Sequence, residues 1–194
     1  MLEKIEVNKI IFLDIETVPL VYDFKELDKG SAQLWDKKSK YIQKYQEVSV
    51  EEAYQKAGIY AEFGKIVCIS FGYIDNAGEK KISSYYGDDE KDIVNSFNEL
   101  LKKIEKKTFN LSGFRINYFD IPWVLHKLHK YGIKPANIIY MYDKKPWDVR
   151  VVDLSDDWKT KFAWAFSFAT ECFDFFFLES KSKAKPVTAT PAIM

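Results

Sequence analysis

The stretch Lys9–Glu16 reads KIIFLDIE, and the fold turns on how it is read. It is short, apolar and rich in isoleucine, which favours a buried β-strand over a helix. It closes on two carboxylates, Asp14 and Glu16. On an extended strand, residues two apart point to one face, about 6 to 7 Å from each other along the backbone. Such a pair suits one or two hard divalent cations. Equally, the strand could simply run out into solvent at Asp14. With 15 Asp and 14 Glu in 194 residues, about one D-x-E is expected by chance, and a second stands in Asp88-Asp89-Glu90. The first pair differs in its place, at the end of a strand expected at the centre of a sheet, where unpaired charge is costly.

Working outward, KIVCISFGY (Lys65–Tyr73) and KISSYY (Lys81–Tyr86) flank Asp75-Asn76-Ala77-Gly78, a turn signal, and predict an antiparallel hairpin. Asp88 or Asp89 then caps a helix with Ile93, Val94, Phe97, Leu100, Leu101 and Ile104 on one face. TFNLSGF (Thr108–Phe114) predicts a further strand, and IPWVLHKLH (Ile121–His129) a helix with Pro122 in its first turn. Strand, hairpin, helix, strand, helix is the order of an α/β layer fold. Asp120 stands where that last strand has ended and the helix begins. It is read either as a helix cap or, with Asp14 and Glu16, as part of a carboxylate site at one end of adjacent strands. Residues 19–62 form a Lys-, Glu-, Gln- and Tyr-rich excursion with one or two helices. Residues 1–178 are expected to form the domain and 179–194, ESKSKAKPVTATPAIM, a flexible tail.

The composition excludes several classes. A hydrophobic fraction of 47% with 15 Phe, 12 Tyr and 5 Trp is not that of a disordered chain. The charge-free stretches Ile66–Ile74 and Phe162–Thr170 are about half the length of a membrane span. The N-terminus, mixed in charge, lacks a secretory h-region, so a cytoplasmic address is expected and no membrane partner. Twenty-nine basic and 29 acidic residues cancel, so no global field draws in nucleic acid. Only Arg115 and Arg150 are arginines; phosphate contacts would fall mostly to lysine. Cys68 and Cys172 stand outside any ligand spacing and read as core thiols. His126 and His129, three apart on one helix, are weak evidence for zinc.

The string IIFLDIETVP (Ile10–Pro19) resembles the first motif of the DEDD-type 3′ to 5′ exonucleases, a superfamily with a ribonuclease H-like fold. Within it, the chain most resembles predicted bacterial exonucleases related to the proofreading domain of family B DNA polymerases. LWDKK (Leu34–Lys38), AGIYAEFGKIVCIS (Ala57–Ser70), YYGDDEK (Tyr85–Lys91) and KPWDVRVVDL (Lys145–Leu154) agree, and Phe119-Asp120-Ile121-Pro122 is similar to the core of the second motif. The resemblance implies a mixed sheet flanked by helices, and catalytic, metal-binding roles for Asp14, Glu16 and Asp120. Asp14 would bridge two Mg²⁺ or Mn²⁺ ions, Glu16 ligate one and Asp120 the other. Thr17 and Phe119 would lie against the terminal nucleotide. The implied activity is metal-dependent removal of 3′ nucleotides from single-stranded DNA.

Two departures set limits on that expectation. The G-H-N string ahead of the second-motif Asp is replaced by Gly113-Phe114-Arg115. The third motif, a Tyr or His followed four residues later by Asp, is not found, so the fold is expected to be incomplete at its C-terminus and turnover to be low. Asp153, Asp156, Asp157 and Asp174 are the acids that could substitute. The alternatives are a non-catalytic nucleic-acid-binding or interaction module that keeps the fold, and a fragment that self-associates through exposed aromatics.

Overall fold

Period-two and period-3.6 patterns of the sequence become a five-stranded mixed sheet with helices. The structure, a computed structural model, describes residues 6–141, 144–145 and 148–156. The elements are β1 (Ile10–Pro19), α1 (Lys29–Gln46), α2 (Val50–Ala53), β2 (Gly64–Ile74), β3 (Lys80–Tyr86), α3 (Glu90–Ile104), β4 (Asn110–Gly113), α4 (Asp120–Lys130) and β5 (Val151–Asp153). The strand order is β3-β2-β1-β4-β5, with β1 central as its apolar run requires. β1 and β4 are parallel, with Phe12 opposite Ser112, and β4 and β5 are parallel, with Gly113 opposite Asp153. β2 and β3 form the antiparallel hairpin, Cys68 opposite Tyr86. Its turn is closed by Asp75, whose carboxylate accepts the amides of Ala77 and Glu79 at 2.9 Å, and by Gly78 at φ 82°, where a side chain would strain the backbone.

The described residues divide into two compact units, one of those at 6–15 and 68–156, the other Glu16–Val67. The boundary falls within β1 and within β2. In the first unit, Ile10 to Leu13, Ile69, Phe71 and Leu111 from the sheet are buried, as are Ile93, Val94, Phe97 and Leu101 of α3 and Val124 and Leu128 of α4. Asp89 caps α3 by accepting the Asp92 amide at 3.1 Å. Buried charge joins α3 to α4: Lys127 Nζ lies 3.2 Å from Glu90 Oε1, and the Tyr131 hydroxyl donates to Glu90 Oε2 at 2.6 Å. Burial and the Glu90 carboxylate push the Tyr131 phenol up.

The second unit has its own core of Trp35, Ile42, Ala53, Tyr54, Ala57 and Phe63. Trp35 meets Tyr54 and Phe63 edge to face at 5.5 and 5.1 Å between centroids. A capping box at Ser49 and Glu52 starts α2. β1 does not end at its carboxylates but runs on to Pro19. The Leu20 amide bonds the Phe63 carbonyl at 2.9 Å, and the Thr17 hydroxyl the Gly58 carbonyl at 2.7 Å, which keeps this part of the chain extended. Among the described residues no helix is long and apolar enough to cross a membrane. The charge-free stretch Phe162–Thr170 and the expected tail at 179–194 lie outside the described residues, as do Asp157, Cys172 and Asp174.

Candidate carboxylate site

Because β1 and β4 are parallel neighbours, their C-terminal ends lie on one side of the sheet, and the residues after them can meet. Asp14 sits there on β1, half-buried, and Asp120, the first residue of α4, is 3% exposed. The residue before it, Phe119, makes no side-chain cap bond to the helix. Asp120 Oδ1 accepts the backbone amide of Ile15 at 3.1 Å, tying the start of α4 to β1 one residue beyond Asp14. Burial pushes the Asp120 carboxyl up to about 7, with the negative charge of Asp14 adding to the rise and that of Asp153 adding a little more. Burial out of water is the main cause, and the nearby Asp14 charge further disfavours the ionised form of Asp120.

Two features bring β4 and α4 into position. Gly113 ends β4 against β1 so closely that a Cβ there would lie 2.7 Å from the Leu13 carbonyl oxygen. No side chain fits without moving backbone, so the approach of the strands beside Asp14 depends on glycine. The loop from Phe114 to Phe119 is then folded back on Asp153, the last residue of β5. One carboxylate oxygen of Asp153 accepts the amides of Arg115 (3.0 Å) and Ser155 (2.9 Å) and the Ser155 hydroxyl (2.7 Å); the other accepts the amide of Asn117 (3.0 Å). Arg115 takes φ 55°, a left-handed conformation that the Asp153 bond offsets. The Arg115 carbonyl accepts from Tyr118 and Phe119, and the Ile116 carbonyl from Ile121, which delivers the chain into α4.

The structure therefore brings Asp14 and Asp120 together and adds Asp153 as the residue that positions the connecting loop. Asp153 was one of four candidate acids in the sequence; what distinguished it was its place at the end of an apolar strand, the same signal that marked Asp14. Glu16 follows at the alternate position of β1 and is exposed. Thr17 is half-buried and gives its hydroxyl proton to Gly58. Phe119 is half-buried, its ring 5.7 Å from that of Trp123. His126 and His129 lie on the solvent side of α4. Among the described residues, no three His, Cys, Asp or Glu side chains are grouped as a metal site. Ionised carboxylates are hard oxygen donors, the kind that Mg²⁺ and Mn²⁺ take.

No protein-family model and no curated protein matches the chain. Among solved structures it is similar to the family B DNA polymerase from the hyperthermophilic archaeon Pyrobaculum calidifontis, at 12% identity and a TM-score of 0.43. That likeness covers 78% of this chain and 16% of the polymerase chain, so the chain spans a small part of that protein's length.

Proposed function

We propose that the chain carries the carboxylate centre of a metal-dependent 3′ to 5′ exonuclease acting on single-stranded DNA. The observation that carries this reading is the placement of Asp14 and the buried Asp120 at the shared end of two parallel strands, near enough for the Asp14 charge to add to the rise of the Asp120 carboxyl. Asp14 and Asp120 would hold Mg²⁺ or Mn²⁺, and Glu16 enters as a further ligand by resemblance alone. The bound cations would supply charge stabilisation to a phosphodiester and acidity to its attacking water. The chain's own part is positioning. Asp120 is fixed by the Ile15 amide and Asp153 fixes the loop ahead of Asp120, while Thr17 and Phe119, again by resemblance, would border the terminal nucleotide. Asp153 spends both its oxygens on the loop, so among the described residues it is poorly placed to complete the ligand set. Turnover is accordingly expected to be slow.

A second reading, a nucleic-acid-binding module without turnover, draws support from the lack of a three-residue metal group among the described residues. A 5′-labelled single strand incubated with the chain and Mn²⁺ separates the two. Shortening from the 3′ end that disappears in Asp14→Asn supports the exonuclease. Binding without shortening, under conditions where Mn²⁺ stabilises the protein, supports the module.

A further inference from the structure

Helix α1 (Lys29–Gln46) turns Trp35, Ser39 and Ile42 into the core of the Glu16–Val67 unit. At 100° per residue, the opposite face carries Lys37, Tyr41 and Lys44 at its centre, flanked by Lys40 on one side and Leu34 and Tyr45 on the other. All six are exposed. Tyr41 and Tyr45 keep 66% and 71% of their surface in water, yet their rings lie against each other, centroids 4.3 Å apart and planes tilted by 35°. The lysines of this face differ from their neighbour. Lys38 pairs with Glu62 at 3.6 Å and lies over the Tyr60 ring, whereas no ion pair engages Lys37, Lys40 or Lys44 among the described residues. Asp36, at the edge of the face, is engaged by the Gln43 amide at 3.3 Å.

We propose that this face of α1 is a binding platform for single-stranded nucleic acid, with bases stacking on the Tyr41–Tyr45 ring pair and phosphates meeting Lys37, Lys40 and Lys44. The ligand class follows from the face itself. Paired aromatic surface with polar rims beside exposed lysines complements a chain that alternates π-faces with anions. An apolar protein partner would call for a continuous hydrophobic ridge, and here only Leu34 is aliphatic. Lys37 to Lys44 spans about 10 Å of helix, the rise of about three stacked nucleotides. Lysine is the suitable cation because stacking already supplies orientation, leaving only charge to be neutralised. The platform shares its ligand class with the proposed exonuclease but rests on residues of its own unit and needs no hydrolysis.

The test measures binding of the whole 194-residue chain to a labelled oligothymidylate of about 15 nucleotides in EDTA, by fluorescence anisotropy at about 50 to 200 mM salt. Tyr41→Ala/Tyr45→Ala is expected to weaken binding about tenfold or more, and Tyr41→Phe/Tyr45→Phe, which keeps the π-faces, to restore it. Lys37→Gln/Lys40→Gln/Lys44→Gln should flatten the slope of log affinity against log salt by about 2. Every substitution is on exposed positions, and matching melting temperatures establish that the variants fold. Unchanged affinity in the Ala pair, equal competition by inorganic polyphosphate, or a change in oligomeric state instead of oligonucleotide binding would each overturn the platform. Mn²⁺ stabilisation of the Tyr41→Ala/Tyr45→Ala protein, read separately, reports on the carboxylate site, so either reading can fail while the other stands.

Discussion

The Asp120 carboxylate accepts the amide of Ile15 at 3.1 Å, and by that bond helix α4 begins on strand β1 next to Asp14. The side chain that makes this bond is buried. The consequence is a carboxyl raised from its ordinary 3.8 to about 7 by burial and by Asp14.

That shift sets a pH dependence. The folded protein keeps the Asp120 proton up to about pH 7, while the unfolded chain releases it near 3.8, so folding takes up a proton between those values. The stability this confers is complete below about pH 3.8 and is lost as pH rises through 7. In EDTA, Asp120→Asn, which keeps the oxygen facing Ile15, should gain on wild type across this window by at most about 4 kcal/mol. Chemical denaturation at several pH values measures the difference. A constant difference from pH 4 to 8 would show that Asp120 is not raised.

Asp153 should matter to the site without belonging to it. Asp153→Asn replaces one accepting oxygen by an amide that cannot accept, so at least one amide of the loop, that of Asn117 or of Arg115, loses its partner. We expect a loss of about 1 to 3 kcal/mol, read as a lower melting temperature, together with weaker Mn²⁺ stabilisation because the loop ahead of Asp120 is freed. Full stability with unaltered metal response would remove the positioning role.

Gly113→Ala tests the close approach of β4 to β1. Its Cβ would meet the Leu13 carbonyl oxygen at 2.7 Å, and backbone has no rotamer with which to yield. Destabilisation of about 1 to 3 kcal/mol is expected. Thermal unfolding within about 1 °C of wild type would mean that the strands separate freely.

The pair of Lys127 and Glu90, 1% and 6% exposed in their side chains, gives a prediction away from the site. Lys127→Met leaves Glu90 buried with the Tyr131 hydroxyl and the more exposed Lys130 as partners. The expected cost is about 3 to 5 kcal/mol. Urea unfolding of the variant measures it, and a loss below about 1 kcal/mol would show that Lys130 compensates.

These outcomes depend on features of unequal legibility. β1, the hairpin and α3 could be read from the sequence because their signals are local: an apolar run, a DNAG turn, and six apolar residues on one helical face. The cap at Asp89 and the turn at Asp75 follow from residues a few positions away. Asp14 and Asp120 were recognisable as a candidate pair, since two strands in the usual order end on the same side. The bond of Asp120 to Ile15, 105 residues away in the chain, has no local signal. The role of Asp153 was hidden for the same reason: its amide partners Arg115 and Asn117 lie 38 and 36 residues earlier. The Tyr41–Tyr45 pair lay in a segment whose composition announced helices but not which faces they would bury.

The most direct measurement is Mn²⁺-dependent thermal unfolding of wild type, Asp14→Asn and Asp120→Asn at about pH 8, above the value of about 7 to which the Asp120 carboxyl is raised. If Asp14 and Asp120 form a cation site, saturating Mn²⁺ at about 100 times its Kd stabilises wild type by about 2.7 kcal/mol, a rise of about 5 to 10 °C. Each Asn variant should lose most of that rise. An equal rise in all three proteins, or none in wild type, would contradict the account.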